Sequence, residues 1–303
     1  MRRRAVSVLV AVVAALSLSA APRGCAEQTF KAAIDLVRAD ISVTRGGQPV
    51  RGLTAADFSV HDSGVAQRVN SVTLVEDLPV SVLLVLDTSG SVKGERLQHL
   101  AAASRGLLEN LRPGDRAGLI TFSDRVTVQA ALGAPRQTIA DRLSSLIGKN
   151  TTALNDAVWI ALQLSPLADE TRPLVLVFSD GVDTASWLTQ SALVEAARRA
   201  GVVIHAVELE TSATYSTRGW RVVPPPSALQ LAAEESGGRK WSATSSRDLQ
   251  SLFTKAIDEM RARYLLTFYP ERVPRPGWHP LKIGARGRGE VIARPGYFKV
   301  AQD

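Results

Sequence analysis

Two apolar runs that do not alternate with polar residues, Val80 to Leu86 and Leu174 to Phe178, each finish on an aspartate, Asp87 directly and Asp180 after Ser179. A strand with one wet face alternates, so runs this uniform belong to strands covered on both sides. That restricts the chain to a sheet sandwiched between helices.

The intervening sequence supplies those helices. Leu97, Leu100, Ala101, Leu108 and Leu111 recur at helical spacing and stop before Pro113-Gly114. Ile139, Leu143 and Leu146 mark a second helix, a third runs from Leu154 to Pro166, and a fourth surrounds Leu193 to Ala200. Further strands are read at Ala117 to Phe122, Val126 to Ala131 and Val202 to Val207. This order predicts an α/β fold, a doubly wound, mostly parallel sheet with helices on both faces. Ligands of such sheets bind beyond the carboxyl ends of the strands, where Asp87 and Asp180 fall.

On either side of the α/β region, residues 79–260, the rhythm differs. Residues 27–78 carry short alternating runs (Ile41 and Val43, Phe58 and Val60, Val69 to Leu74) separated by Gly46-Gly47 and Asp62-Ser63-Gly64, the pattern of antiparallel strands. Residues 261–303 are strand-like again at Tyr264 to Tyr269, Leu281 to Ile283 and Val291 to Val300. Neither segment makes a convincing domain alone. The expectation is that the two pair into one β-sandwich with the α/β unit inserted between them.

Arg2-Arg3-Arg4, the apolar stretch Ala5 to Leu18 and the small residues after it have the layout of a secretory signal peptide, residues 1–26, cut before Glu27. The apolar stretch is shorter than the roughly 20 residues of a spanning helix, so no stable membrane span is expected after cleavage. Cys25, the one cysteine, leaves with the leader; lipidation at Cys25 is the alternative, and Pro22-Arg23-Gly24 lacks the apolar residue such a site uses. The mature protein is thus expected to be secreted or periplasmic, without disulfides or thiolate metal ligands. Four of the 36 basic residues (Arg2, Arg3, Arg4, Arg23) go too; against 29 acidic residues the formal charge falls from +7 to +3. That removes the main support for a nucleic-acid partner.

The chemistry concentrates at Asp87-Thr88-Ser89-Gly90-Ser91. A carboxylate and two hydroxyls at alternate positions on a tight turn can offer three oxygens to one small hard cation. Capping of the next helix is the competing role for such residues. Thr152, in a polar loop, and Asp180 fall where they can join the same rim.

Asp87-x-Ser89-x-Ser91 followed by Thr152 and Asp180 resembles the von Willebrand factor A domain with its metal-ion-dependent adhesion site. Ile34 to Arg38, Val50 to Thr54, Asp57-Phe58, Tyr264 to Leu266 and Arg294 to Phe298 extend the likeness to exported bacterial "VWFA-related" proteins of the acidobacterial type. The resemblance implies that Ser89, Ser91 and Thr152 ligate Mg²⁺ directly, with Mn²⁺ able to substitute and Ca²⁺ fitting less well. Asp87 and Asp180 would act largely through water, leaving a position for a carboxylate of a protein or peptide ligand. One departure is that the usual Gly-Gly-Thr reads Asn150-Thr151-Thr152 here, so Thr151 is the alternative to Thr152.

His61, His99, His205 and His279 are scattered, and no G-x-S-x-G, S-x-x-K, H-E-x-x-H or Walker motif occurs, so a binding protein rather than an enzyme is expected. A metal-assisted hydrolase and an assembly factor beside a chaperone-like ATPase are the rivals; the leader opposes the latter. Thr211 to Pro226 leaves a strand on the same rim. Tyr215, Arg218 and Trp220 in it are the kinds of side chain that dominate interfaces, and are read as ligand-selecting, against the plainer reading of a surface loop.

Overall fold

The computed structural model describes residues 36–148, 151–165, 171–180, 183–209, 216–217, 220–221, 225–273 and 276–299. The leader and Cys25 lie outside these.

The chain opens with β1 (Val37–Arg45), β2 (Gln48–Pro49), β3 (Ser59–Asp62), β4 (Val65–Gln67) and β5 (Val69–Leu74). An α/β region follows, with β6 (Val80–Asp87), α1 (Glu95–Glu109), β7 (Arg116–Phe122), β8 (Val126–Ala130), α2 (Arg136–Ser144), α3 (Leu154–Leu164), β9 (Arg172–Ser179), α4 (Gln190–Arg199) and β10 (Val203–Leu209). A short ribbon, β11 (Ser216–Thr217) and β12 (Trp220–Arg221), precedes α5 (Ala228–Glu235), β13 (Lys240–Ala243) and α6 (Leu249–Arg261). The chain ends in β14 (Tyr264–Phe268), β15 (Gly277–Gly284), β16 (Glu290–Ala293) and β17 (Gly296–Lys299).

The central sheet has the order β13-β10-β9-β6-β7-β8, parallel throughout except for β8, which runs antiparallel to β7. Every residue of β6 is buried. Val82, Leu84 and Leu86 pack with Leu100 and Leu107 of α1 and Phe253 of α6 on one face. Leu83 and Val85 pack with Val158 of α3, Leu193 of α4 and Leu229 of α5 on the other. At about 1.5 to 3 kcal/mol for each buried aliphatic side chain, this double burial explains the unalternating run.

The flanking segments build two antiparallel sheets over a third core containing Ile41, Val43, Phe58, Val60, Tyr264, Leu266 and Phe268. One sheet runs β16-β1-β14-β5 with β2 beside β1; the other runs β17-β15-β3-β4. Both sheets therefore combine strands from the two ends of the chain, alternating in the first and meeting at the β15-β3 pair in the second. Val291 to Val300, read from sequence as one strand, is two: β16 pairs with β1 and β17 with β15. Pro295 separates them, since it has no N–H to give a ladder, and its carbonyl accepts from Leu281 N–H at 2.7 Å.

The α/β unit joins this sandwich where Val75 N–H donates to the Arg263 carbonyl at 3.1 Å. An ion pair crosses the junction, between Asp40 of β1 and Arg172 Nη2 of β9 at 3.2 Å. Asp40 also takes Arg263 Nε at 2.6 Å, and within the α/β unit Glu259 of α6 takes Arg239 Nε at 2.7 Å. Arg263 has no exposed surface and also donates to the Gly237 carbonyl.

Candidate metal centre

Parallel strands end together, so the turns after β6 and β9 share one rim of the sheet. Asp87, the last residue of β6, has no exposed surface; its Oδ1 accepts from Ser89 N–H and its Oδ2 from the Ser179 hydroxyl, both at 2.7 Å. Thr88 turns away, donating its N–H and hydroxyl to the Phe122 carbonyl at 2.8 and 3.0 Å. That rotation leaves Ser89 and Ser91 on the opposite side, their hydroxyls 3.0 Å apart. Ser91 donates to Asp180 Oδ1 at 2.6 Å, and Asp180 Oδ2 lies 3.2 Å from Nη1 of Arg96 in the first turn of α1. The same Nη1 donates to the Ser91 carbonyl at 3.1 Å.

Hydrogen bonds thus connect Asp87, Ser89, Ser91 and Asp180. Burial pushes the Asp87 carboxyl above its ordinary range; hydrogen bonds from Ser89 and Ser179 pull it back, and the negative charge of Asp180 adds to the rise. Thr152 is buried, and Thr151 beside it is exposed. Its N–H donates to Thr184 Oγ1 at 3.1 Å, and its carbonyl accepts from Thr184 and Ala185 N–H at 2.9 and 3.1 Å. Among the described residues no hydrogen bond joins Thr152 directly to the other four. Its loop is fixed to theirs through β7, because Ala153 N–H donates to the Ser123 carbonyl while Thr88 holds that of Phe122.

Two further carboxylates hold the rim together. Asp183 Oδ1 accepts from Leu154 N–H (2.8 Å), Asn155 N–H (3.3 Å) and the Ser186 hydroxyl (2.6 Å), satisfying the first turn of α3. Asp156 accepts from Trp187 and Leu188 N–H at 3.0 and 2.9 Å. Neither faces the four-residue cluster. Arg96 and Ser179 are the contributors that sequence reading missed; Ser179 was signalled only by adjoining Asp180, and Arg96 only by its place one turn into the helix after Ser91. Tyr215 and Arg218 lie outside the described residues, and Trp220 is described only as backbone paired with Thr217.

No group of three His, Cys, Asp or Glu side chains able to hold an ion occurs among the described residues. The donors gathered here are mostly hydroxyls. Residues 81–254, from the second residue of β6 to within α6, match the von Willebrand factor type A domain. The chain belongs to that family. Its members are chiefly binding modules, and relatives occur in both bacteria and animals. The chain is 26% identical over 223 residues to a UPF0353 protein of Mycobacterium avium, covering 66% of each chain. It is 26% identical over 133 residues to inter-alpha-trypsin inhibitor heavy chain H4 of Sus scrofa, covering 41% of this chain and 14% of that one. The chain therefore spans about two thirds of the first relative and a small part of the second. A mussel byssus protein, proximal thread matrix protein 1, described with a zinc-occupied metal-ion-dependent adhesion site, shares the fold at a TM-score of 0.52 and 16% identity over 66% of this chain and 50% of its own. No helix among the described residues is long and apolar enough to cross a membrane.

Proposed function

We propose that this von Willebrand factor type A protein is exported and binds a protein or peptide ligand through a carboxylate that completes the coordination of Mg²⁺, or of Mn²⁺ in its place. The role is adhesion or envelope protein assembly, not catalysis. The observation that carries this reading is the pair Asp87 and Asp180, whose side chains expose no surface and which are linked to each other through Ser89 and Ser91. Two carboxylates withdrawn from water beside each other are costly without positive charge, and Arg96, paired with Asp180, is itself 48% exposed.

The donors suit a hard divalent ion, being carboxyl and hydroxyl oxygens without imidazole or thiol. Ser89, Ser91 and Thr152 are assigned as hydroxyl ligands, and Asp87 and Asp180 as carboxylates acting through water. When bound, the ion supplies an electrophilic position for the acid of the ligand. Ser179 and the Ser89 amide hold Asp87 in one orientation, and Asp183 sets the loop that carries Thr152. The leader-like N-terminus and the likeness of the flanks to exported bacterial A-domain proteins support the location.

Calorimetry of the full chain with Mg²⁺, Mn²⁺, Ca²⁺ and Zn²⁺ tests the reading, with Asp87→Ala as control. One saturable site for Mg²⁺ is expected, lost in the variant. It should raise folding stability by about 2.7 kcal/mol at a hundredfold excess over Kd. Absence of both heat and thermal shift with Mg²⁺ and Mn²⁺ would overturn it.

A further inference from the structure

Beside the candidate metal centre lies a cleft of about 530 Å³, with Val126, Ala153, Trp159, Ala185, Trp187 and Leu188 among the residues that line it. Trp187 is 96% exposed and Trp159 40%. An indole left almost wholly in water contributes nothing to the core, and two of them framing one concavity, which Asp124, Arg125 and Asp156 also line, form an apolar wall of the kind that marks a binding groove. The loop that carries Trp187 is not loose. Asp156 on α3 receives the N–H of Trp187 and of Leu188, and Asp183 receives the Ser186 hydroxyl, so the backbone is clamped in the position that displays the ring. A ring presented on fixed backbone loses little freedom on contact, and Trp is among the residues that dominate interface energies.

The cleft starts at the candidate ion ligand. Ala153 follows Thr152 in sequence, and Ala185 N–H is bonded to the Thr152 carbonyl. A peptide whose acid sits on the ion can reach this concavity with the neighbouring part of its chain. We propose that the cleft takes an aromatic or branched aliphatic side chain from the same ligand, a few residues from its metal-bound acid, making recognition a two-point contact. This rests on the reading given above of an ion-bridged carboxylate.

The test uses peptides selected from a random phage-displayed library on the full chain in Mg²⁺, then made synthetically. Selected sequences should pair an acidic residue with a nearby aromatic or branched aliphatic one. Replacing that apolar residue by Ala, or Trp187→Ala in the protein, should each weaken binding at least tenfold, with little further loss when combined. Trp159→Ala should act in the same direction, and Mg²⁺ affinity should be unchanged in Trp187→Ala. Folding is not at stake at so exposed a position. If the chain takes up Mg²⁺ and binds acidic peptides without an apolar preference, or if Trp187→Ala leaves their affinity intact, the two-point contact is overturned while the ion-bridged reading stands. If Mg²⁺ is not taken up at all, the ion-bridged reading fails first and this one with it. Trp187-dependent binding that ignores EDTA, or a Trp187-dependent dimer of the chain itself, also overturns the proposal.

Discussion

Nη1 of Arg96 and Oδ2 of Asp180 stand 3.2 Å apart, joining the first turn of α1 to the turn after β9. The guanidinium neutralises a carboxylate that the proposed ion would also engage, so the two positive charges compete. Arg96→Gln should tighten Mg²⁺ binding, and because the Arg96 side chain is half exposed the gain is capped near 1 kcal/mol, up to about fivefold in Kd. Calorimetry at low ionic strength reads this; weaker binding in the variant would mean that Arg96 helps to build the site.

Asp183 caps α3 and pins the loop that carries Thr152. Removing its charged hydrogen bonds leaves the Leu154 and Asn155 amides without their acceptor, at a cost of about 2 kcal/mol. Asp183→Ala should therefore lower the urea midpoint clearly, whereas Trp187→Ala should change stability by no more than about 0.5 kcal/mol. Equal losses in the two variants would contradict the assignment of one as clamp and the other as display.

His205 gives the fold a dependence on pH. Its Nδ1 accepts from Arg239 N–H at 3.2 Å, which places the proton of the neutral ring on Nε2. Burial, then the charges of Arg263 and Arg239, hold its pKa well below the ordinary histidine value near 6.5. Between those two values the unfolded chain binds the proton and the folded one does not. Stability is thus complete above about pH 6.5 and is lost as pH falls below it. Glu259 opposes this, since burial raises its pKa and favours the folded state as pH drops toward the ordinary carboxyl range. His205→Asn removes only the first effect. Denaturation at about pH 7.5 and 5.5 should show a smaller loss in the variant than in the parent.

Gly238 passes over β10 so closely that a Cβ built on it would stand 1.8 Å from the Ile204 carbonyl oxygen. Gly238→Ala must push β13 away from β10. A loss of about 3 kcal/mol is expected in urea denaturation, and a variant of unchanged stability would mean that the two segments are not packed as described.

The central sheet was readable because burial on both faces erases alternation in Val80 to Leu86 and Leu174 to Phe178, and few other elements produce such runs. The rim positions of Asp87 and Asp180 followed, since parallel strands must end together. The division at Pro295 was not readable, because Val291, Ile292, Tyr297 and Phe298 form one apolar stretch whose halves differ only in which sheet they join. Nor were the buried ion pairs, since Asp40 and Arg172 are 132 residues apart and their pairing exists only once both layers are assembled. Two indoles at Trp159 and Trp187 look the same in sequence whether they fill a core or face water. The clamp that keeps Trp187 outward depends on Asp156, 31 residues earlier.

The bond between Val75 and the Arg263 carbonyl has a mechanical meaning. The α/β unit hangs from β5 and β14, neighbours in one sheet, with Leu74 opposite Tyr264. The rim with Asp87 and Asp180 is at the other end of the central sheet. A pull applied at that rim would load both tethers in the same direction, drawing them as a pair rather than peeling one from the other. The strain passes next to β1, which borders β14 along its length. The sandwich would in this way spread a load applied at the rim over neighbouring strands.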